Sequence, residues 1–188
     1  MDSRERVLKA LHHQEPDRVP IHDNPWPVTI SRWHREGLPT SVSPADHFGY
    51  ELCQIGADTS PRFPVETLER TDEYVVTRTS TGGVNKNWLD HGGTPQVIAR
   101  PIETREDWEQ IKPRLKPDYT RVDWVSARNT YHSARSEGKF ICFSSAWGYD
   151  RLQAYMRSEQ LLMTLSTDPE WVREMVDTLA NLTLEMAR

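Results

Sequence analysis

The chain has 188 residues, with 23 Lys and Arg against 28 Asp and Glu and a formal net charge of −5. The two signs are interspersed, so no basic stripe awaits a phosphate backbone, which argues against nucleic acid as a partner. The opening Met1-Asp2-Ser3-Arg4-Glu5-Arg6 has no apolar leader, and no window approaches the run of about 18 apolar residues of a membrane span, so a cytoplasmic protein without a membrane partner is expected.

Asp2 with Glu5 three residues on is a capping pattern, and Val7, Leu8 and Leu11 give one apolar face, so a helix is expected over residues 3–13, stopped by Pro16. Arg18-Val19-Pro20-Ile21 is too short for a helix and reads as a brief strand opening a sheet. A second helix over about 27–36 ends at Gly37, with Trp33 facing inward. Residues 48–57 read as helix or strand, with a helix end at Gly56 running into a short strand near Asp58. Tyr74–Thr79 and Val84–Trp88 flank Thr81-Gly82-Gly83 as a hairpin, and residues 95–99 suit an edge strand. Thr104 and Asp107 cap a short helix through Trp108 and Ile111, after which residues 113–122 read as linker.

A helix over about 122–136 leads through Gly138 to Lys139–Phe143, an apolar run suited to a strand covered on both faces. A small-residue loop, 144–148, then a single helix over about 150–166 should come next. Asp168-Pro169-Glu170 starts a last helix whose stripe is Val172, Met175, Val176, Leu179, Leu182 and Met186. That helix has no stop signal before Arg188, which reads as a cut end. Seven Trp and thirteen Pro suggest a loop-rich region anchored by large rings, and the two cysteines, Cys53 and Cys142, read as buried thiols rather than a disulfide or zinc knuckle.

Several segments together resemble the uroporphyrinogen decarboxylase superfamily. They are Arg4–Leu11 continued by Glu15–Ile21, then Arg32–Pro39, Thr94-Pro95, Arg105–Trp108, Leu161–Met163 and Asp168–Val172. The resemblance implies an α/β fold, a (β/α)₈ TIM barrel present as its N-terminal part of about three strands, with a loop- and hairpin-rich insertion at about 60–120 within one domain. Such barrels need about 250 residues and carry their chemistry on the loops after the strands.

Two such loops qualify. His22 and Asp23 are candidates for proton transfer, with Asn24 and Trp26 for substrate binding; the alternative is a solvated loop satisfying its own backbone. Trp147, Gly148 and Tyr149 form the second, where small residues let a ligand reach backbone amides and rings could stack on it; packing is the alternative. His91-Gly92-Gly93 resembles an esterase oxyanion loop but has no G-x-S-x-G elbow to serve. The histidines show no ligand spacing, so no metal site is expected from these residues. Arg32 and Arg35 read as a solvated face.

Authentic decarboxylases of the family carry an Arg-Gln-x-Gly-Arg element after the first strand, where this chain has His22-Asp23-Asn24-Pro25. An octacarboxylate needs several cations, and with its divergent mouth the chain resembles the methyltransferase branch of the family instead. That resemblance implies methyl transfer involving a corrinoid carried on a partner protein, with zinc bound by residues outside this chain; tetrapyrrole decarboxylation is the alternative and an inactive or binding fragment the third. By analogy with relatives, a homodimer is expected.

Overall fold

A computed structural model describes residues 1–90 and 93–188. From the N-terminus its elements are α1 (Ser3–Leu11), α2 (Pro27–Arg35), α3 (Pro44–Phe48), β1 (Leu52–Ile55), β2 (Glu66–Arg70), β3 (Tyr74–Arg78), β4 (Val84–Trp88) and β5 (Gln96–Ala99). The remaining elements are α4 (Arg105–Ile111), α5 (Trp124–Ser136), β6 (Phe140–Phe143), α6 (Gly148–Leu152), α7 (Ser158–Thr167) and α8 (Pro169–Ala187). The protein is mixed α/β, and among the described residues its strands form one two-stranded parallel sheet and one four-stranded antiparallel sheet, with no closed barrel. No described helix is long and apolar enough to cross a membrane.

Contacts divide the chain into two compact units, each discontinuous in sequence. Unit 1 holds residues 1–56 and 123–144. Unit 2 holds residues 57–122 and 145–188.

In unit 1, Asp2 caps α1 by accepting from the Glu5 amide at 2.7 Å, as its sequence spacing requires. β1 and β6 pair in parallel, Leu52 against Phe140 through Ile55 against Phe143, and α5 supplies the crossover and packs on both strands. The expected strand at 18–21 is absent. Pro20 has no amide to donate, Val19 is exposed, and the Ile21 amide is taken at 2.8 Å by the Glu51 carboxylate rather than by a ladder carbonyl. Nor does a strand form at Asp58: the strand lies earlier, at β1, and the Asp58 carboxylate instead accepts from the Ser60 amide at 2.9 Å in a turn. β6 is only half-buried along its length, short of the full cover expected on both faces, because its sheet has two strands among the described residues.

Glu51 organises unit 1. Its side chain, 2% exposed, accepts from Arg6, from Arg18 at 2.9 Å and from Ile21, while its own amide donates to the Ile21 carbonyl and its carbonyl accepts from Phe140. Arg6 also grips Asp17 with two bonds of 2.6 and 2.8 Å, the planar fork matching both carboxylate oxygens. Burial pushes the Glu51 carboxyl up, but the Ile21 amide and the two guanidinia outweigh it and the net shift is down. Hydrogen bonding from Arg6 holds Asp17 at about 2.

In unit 2 the hairpin forms as expected: Gly82 turns at φ +90, a conformation that a side chain resists, and its amide reaches the Thr79 carbonyl at 2.9 Å. β5 adds the expected edge. β2 adds the other; all five of its residues are exposed, and its composition gave no alternation to detect. On one face Lys86 stands over both the Tyr74 and Trp88 rings, at 3.4 and 4.3 Å from their centroids. The capping box of Thr104 and Asp107 starts α4 and buries Trp108 and Ile111. The segment read as linker is held by Arg121, whose guanidinium donates to the carbonyls of Asp58, Ser60, Arg114 and Lys116 at 2.6–2.8 Å.

The single helix expected over about 150–166 is two, α6 and α7. Two carbonyls in between are drawn off the helical path, Gln153 by the Arg100 side chain at 2.7 Å and Tyr155 by the Ile102 amide at 3.0 Å. Tyr155 and Met156 bury in the resulting turn. The stripe of α8 faces inward as its spacing predicts, with Val172, Met175, Leu179 and Leu182 in an apolar cluster that includes Ile102, Trp108, Leu152 and Leu161.

Candidate functional site

A cleft of about 700 Å³ opens in unit 1. That volume lies within the range of about 300–1,000 Å³ typical of small-molecule sites. One wall is the loop of His22, Asp23, Asn24 and Pro25; a second is Tyr50 with the β1 residues Leu52, Cys53 and Gln54; a third is α5 and the turn from it into β6, with Asn129, Ser133, Glu137 and Lys139.

The walls are placed by the Glu51 network. Because Glu51 fixes Ile21 by both its main chain and its side chain, the next residues, His22 to Asn24, are delivered beside Tyr50. The His22 ring meets the Tyr50 ring edge-on with centroids 5.9 Å apart, and Phe48 stacks on Tyr50 at 6.3 Å. Burial, and then the charge of Asp23, push the Tyr50 phenol up. Asp23 accepts from the Asn24 amide at 2.7 Å, a tight local turn.

On the opposite wall Lys139 pairs with Glu137 at 2.7 Å and reaches Asp46 at 4.0 Å, and Ser133 donates to Glu137 at 2.7 Å. Hydrogen bonds from Lys139 and Ser133 hold the Glu137 carboxyl below the usual carboxylate range. Lys139 is the cation of this lining, and it is already engaged.

Of the residues singled out from sequence, His22, Asp23 and Asn24 line the cleft together. Trp26 caps the start of α2, half-exposed, and is not among the lining residues. Trp147, Gly148 and Tyr149 belong to unit 2. There Trp147 precedes the short α6 and is exposed, Tyr149 is exposed, and Gly148 has φ +65, so its glycine answers a backbone need. Of the triplet His91-Gly92-Gly93, which has no nucleophile elbow to serve, His91 and Gly92 lie outside the described residues. Among the described residues, no three His, Cys, Asp or Glu side chains gather as a metal site.

Tyr50, Glu137 and Lys139 escaped the sequence reading as site residues, and Cys53 and Cys142, read there as buried thiols, are only half-buried, Cys53 on the cleft wall. Glu51 carried a usable signal, a lone carboxylate between Tyr50 and Leu52 in an otherwise half-apolar segment, which needs a cationic partner if it is buried. The cleft does not keep to the strand C-termini expected of a barrel mouth. It begins at Tyr50 and Lys139, which precede the strands β1 and β6.

The lining offers an imidazole and a carboxylate side by side, an aromatic wall and a neutralised lysine, a set suited to holding a small organic molecule and exchanging a proton with it. Compared with protein-family models, with curated proteins and with solved structures, the chain finds no match in any of the three.

Proposed function

We propose that the chain carries part of an α/β barrel enzyme resembling the uroporphyrinogen decarboxylase superfamily, and that it acts in methyl transfer between a small methyl donor and a corrinoid carried on a partner protein. The parallel pair β1 and β6 joined through α5 supports the barrel reading, since strand, helix and parallel strand are the repeating piece of such barrels.

The observation that carries the choice of chemistry is the charge of the cleft. A tetrapyrrole with many carboxylates needs several converging cations, and here Lys139 is already paired with Glu137. A methyl donor makes no such demand. His22 passes a proton to the heteroatom once its methyl has left, Asp23 faces the donor as a carboxylate, Asn24 orients it, and Tyr50 forms one wall of the pocket. The corrinoid, when bound, supplies the group that accepts the methyl. Zinc would be held by residues outside this chain, since no ligand set gathers among the described residues.

The test titrates the protein with methylcobalamin and, separately, with a uroporphyrin. Saturable binding of methylcobalamin, with methyl exchange that falls in His22→Ala and Asp23→Asn, is the expected result. Binding of the porphyrin alone, or of neither, overturns the proposal.

A further inference from the structure

We propose that the cleft of unit 1 selects an organic cation, a donor whose methyl groups sit on an ammonium nitrogen, with Asp23 as the countercharge and Tyr50 as the aromatic wall. This rests on the methyl-transfer reading and names the substrate class for the same site.

Three observations converge. Asp23 accepts a hydrogen bond from its neighbouring amide and has no ion pair among the described residues, whereas Asp17 and Glu51 of the same unit are held by Arg6 and Arg18. The charges lining the cleft are Asp23, Glu137 and Lys139, and Lys139 is engaged by Glu137 and reached by Asp46, so the free charge is that of Asp23 and its sign is negative. Tyr50 and His22 line the same cleft as that carboxylate, their rings edge-on at 5.9 Å, with Phe48 stacked on Tyr50.

A methylated ammonium is too weakly hydrated and too bulky for close hydrogen-bonded pairing. It gains instead from a ring quadrupole next to a diffuse negative charge. An anionic ligand would meet Asp23 unscreened by any paired cation. A neutral ligand of equal shape would gain the apolar contact but not the electrostatic part.

The experiment compares choline with its uncharged isostere 3,3-dimethylbutan-1-ol by calorimetry at constant ionic strength. Choline should bind saturably and the isostere about tenfold more weakly. Asp23→Asn, at an exposed position, should weaken choline about tenfold and leave the isostere unchanged. Tyr50→Leu should weaken choline as well; should that variant lose its circular dichroism, Asp23→Asn still decides. Equal binding of the two ligands, or choline binding indifferent to Asp23→Asn, overturns the inference. Methyl exchange between methylcobalamin and a neutral methyl ether, with no choline binding, overturns it while leaving the methyl-transfer reading intact. Choline binding as described but no methyl exchange with any donor supports the cation site and overturns that reading instead.

Discussion

The two units are stabilised by opposite means. Unit 2 is built on apolar contact, a contiguous cluster from Ile102 on the approach to α4 to Leu182 on α8, with Trp108, Tyr155, Met156, Leu161 and Met175 fully buried. Unit 1 buries few apolar side chains among the described residues, Val7, Leu38, Tyr50 and Ala134, and closes instead around one carboxylate with two guanidinia. Hydrophobic burial is insensitive to pH, whereas an ion cluster depends on the protonation of each member. The site-bearing unit is therefore the one whose integrity tracks solution conditions.

The largest effect expected is in unit 2. Trp108→Ala removes a fully buried ring and leaves Glu174 without its indole donor, and should cost about 3–5 kcal/mol in urea unfolding. A loss under about 1 kcal/mol would mean that the cluster is not what holds that unit. In unit 1, Glu51→Gln keeps the shape but strips the charge that Arg6 and Arg18 face. It should cost about 2–3 kcal/mol, below the usual figure for a broken buried pair because Arg18 is half-exposed and can turn to water. The cleft should suffer with it, so choline binding by this variant should fall even where the fold survives.

Acid should separate the two units without mutation. Asp17, near 2, and Glu51, also lowered, have folded-state values below their unfolded ones, so their contribution is complete above the ordinary carboxylate range and disappears as pH falls through the folded values. Between about pH 4 and 2, amide protection at Leu52–Ile55 should be lost before that at Trp171–Leu182. Unit 2 also holds lowered carboxyls, Asp168 beside Arg105 and Glu174 beside Lys112, but these pairs flank the apolar cluster and do not replace it. Simultaneous loss in both units would remove the distinction. The smallest effect is at the antiparallel sheet, where Lys86→Met should cost at most about 1 kcal/mol, read as a small drop in Tm.

Much of the secondary structure was legible because it is specified locally. Asp2, Thr104 and Asp168 cap the helices their spacing announces, Gly82 turns its hairpin, and the stripe on α8 faces inward. The elements that were not legible depend on partners distant in sequence. Residues 18–21 have strand composition, yet the carboxylate of Glu51 takes the Ile21 amide; residues 153–157 have helix composition, yet Arg100 and Ile102 claim two carbonyls. The same holds for the site: the polar run His22-Asp23-Asn24 announced itself, while Tyr50 joins it through the bonds between Glu51 and Ile21, and Glu137 and Lys139 through the pairing of β1 with β6. The segments Arg4–Leu11 and Glu15–Ile21 that carry the resemblance contribute Arg6, Asp17 and Arg18 to the ion cluster. Their specificity is structural.

Leu52 and Phe140 are partners in the parallel pair, but they leave the ribosome 88 positions apart. At about 5–20 residues per second, β1 waits about 4–18 s for its neighbour. Residues 57–122, which belong to unit 2, emerge during that wait and must in turn await residues 145–188. Each unit is thus begun, set aside and finished in alternation, so the nascent chain holds two half-made bodies at once. Its yield in a cell should respond to translation speed and to chaperones that shield an unpaired strand edge.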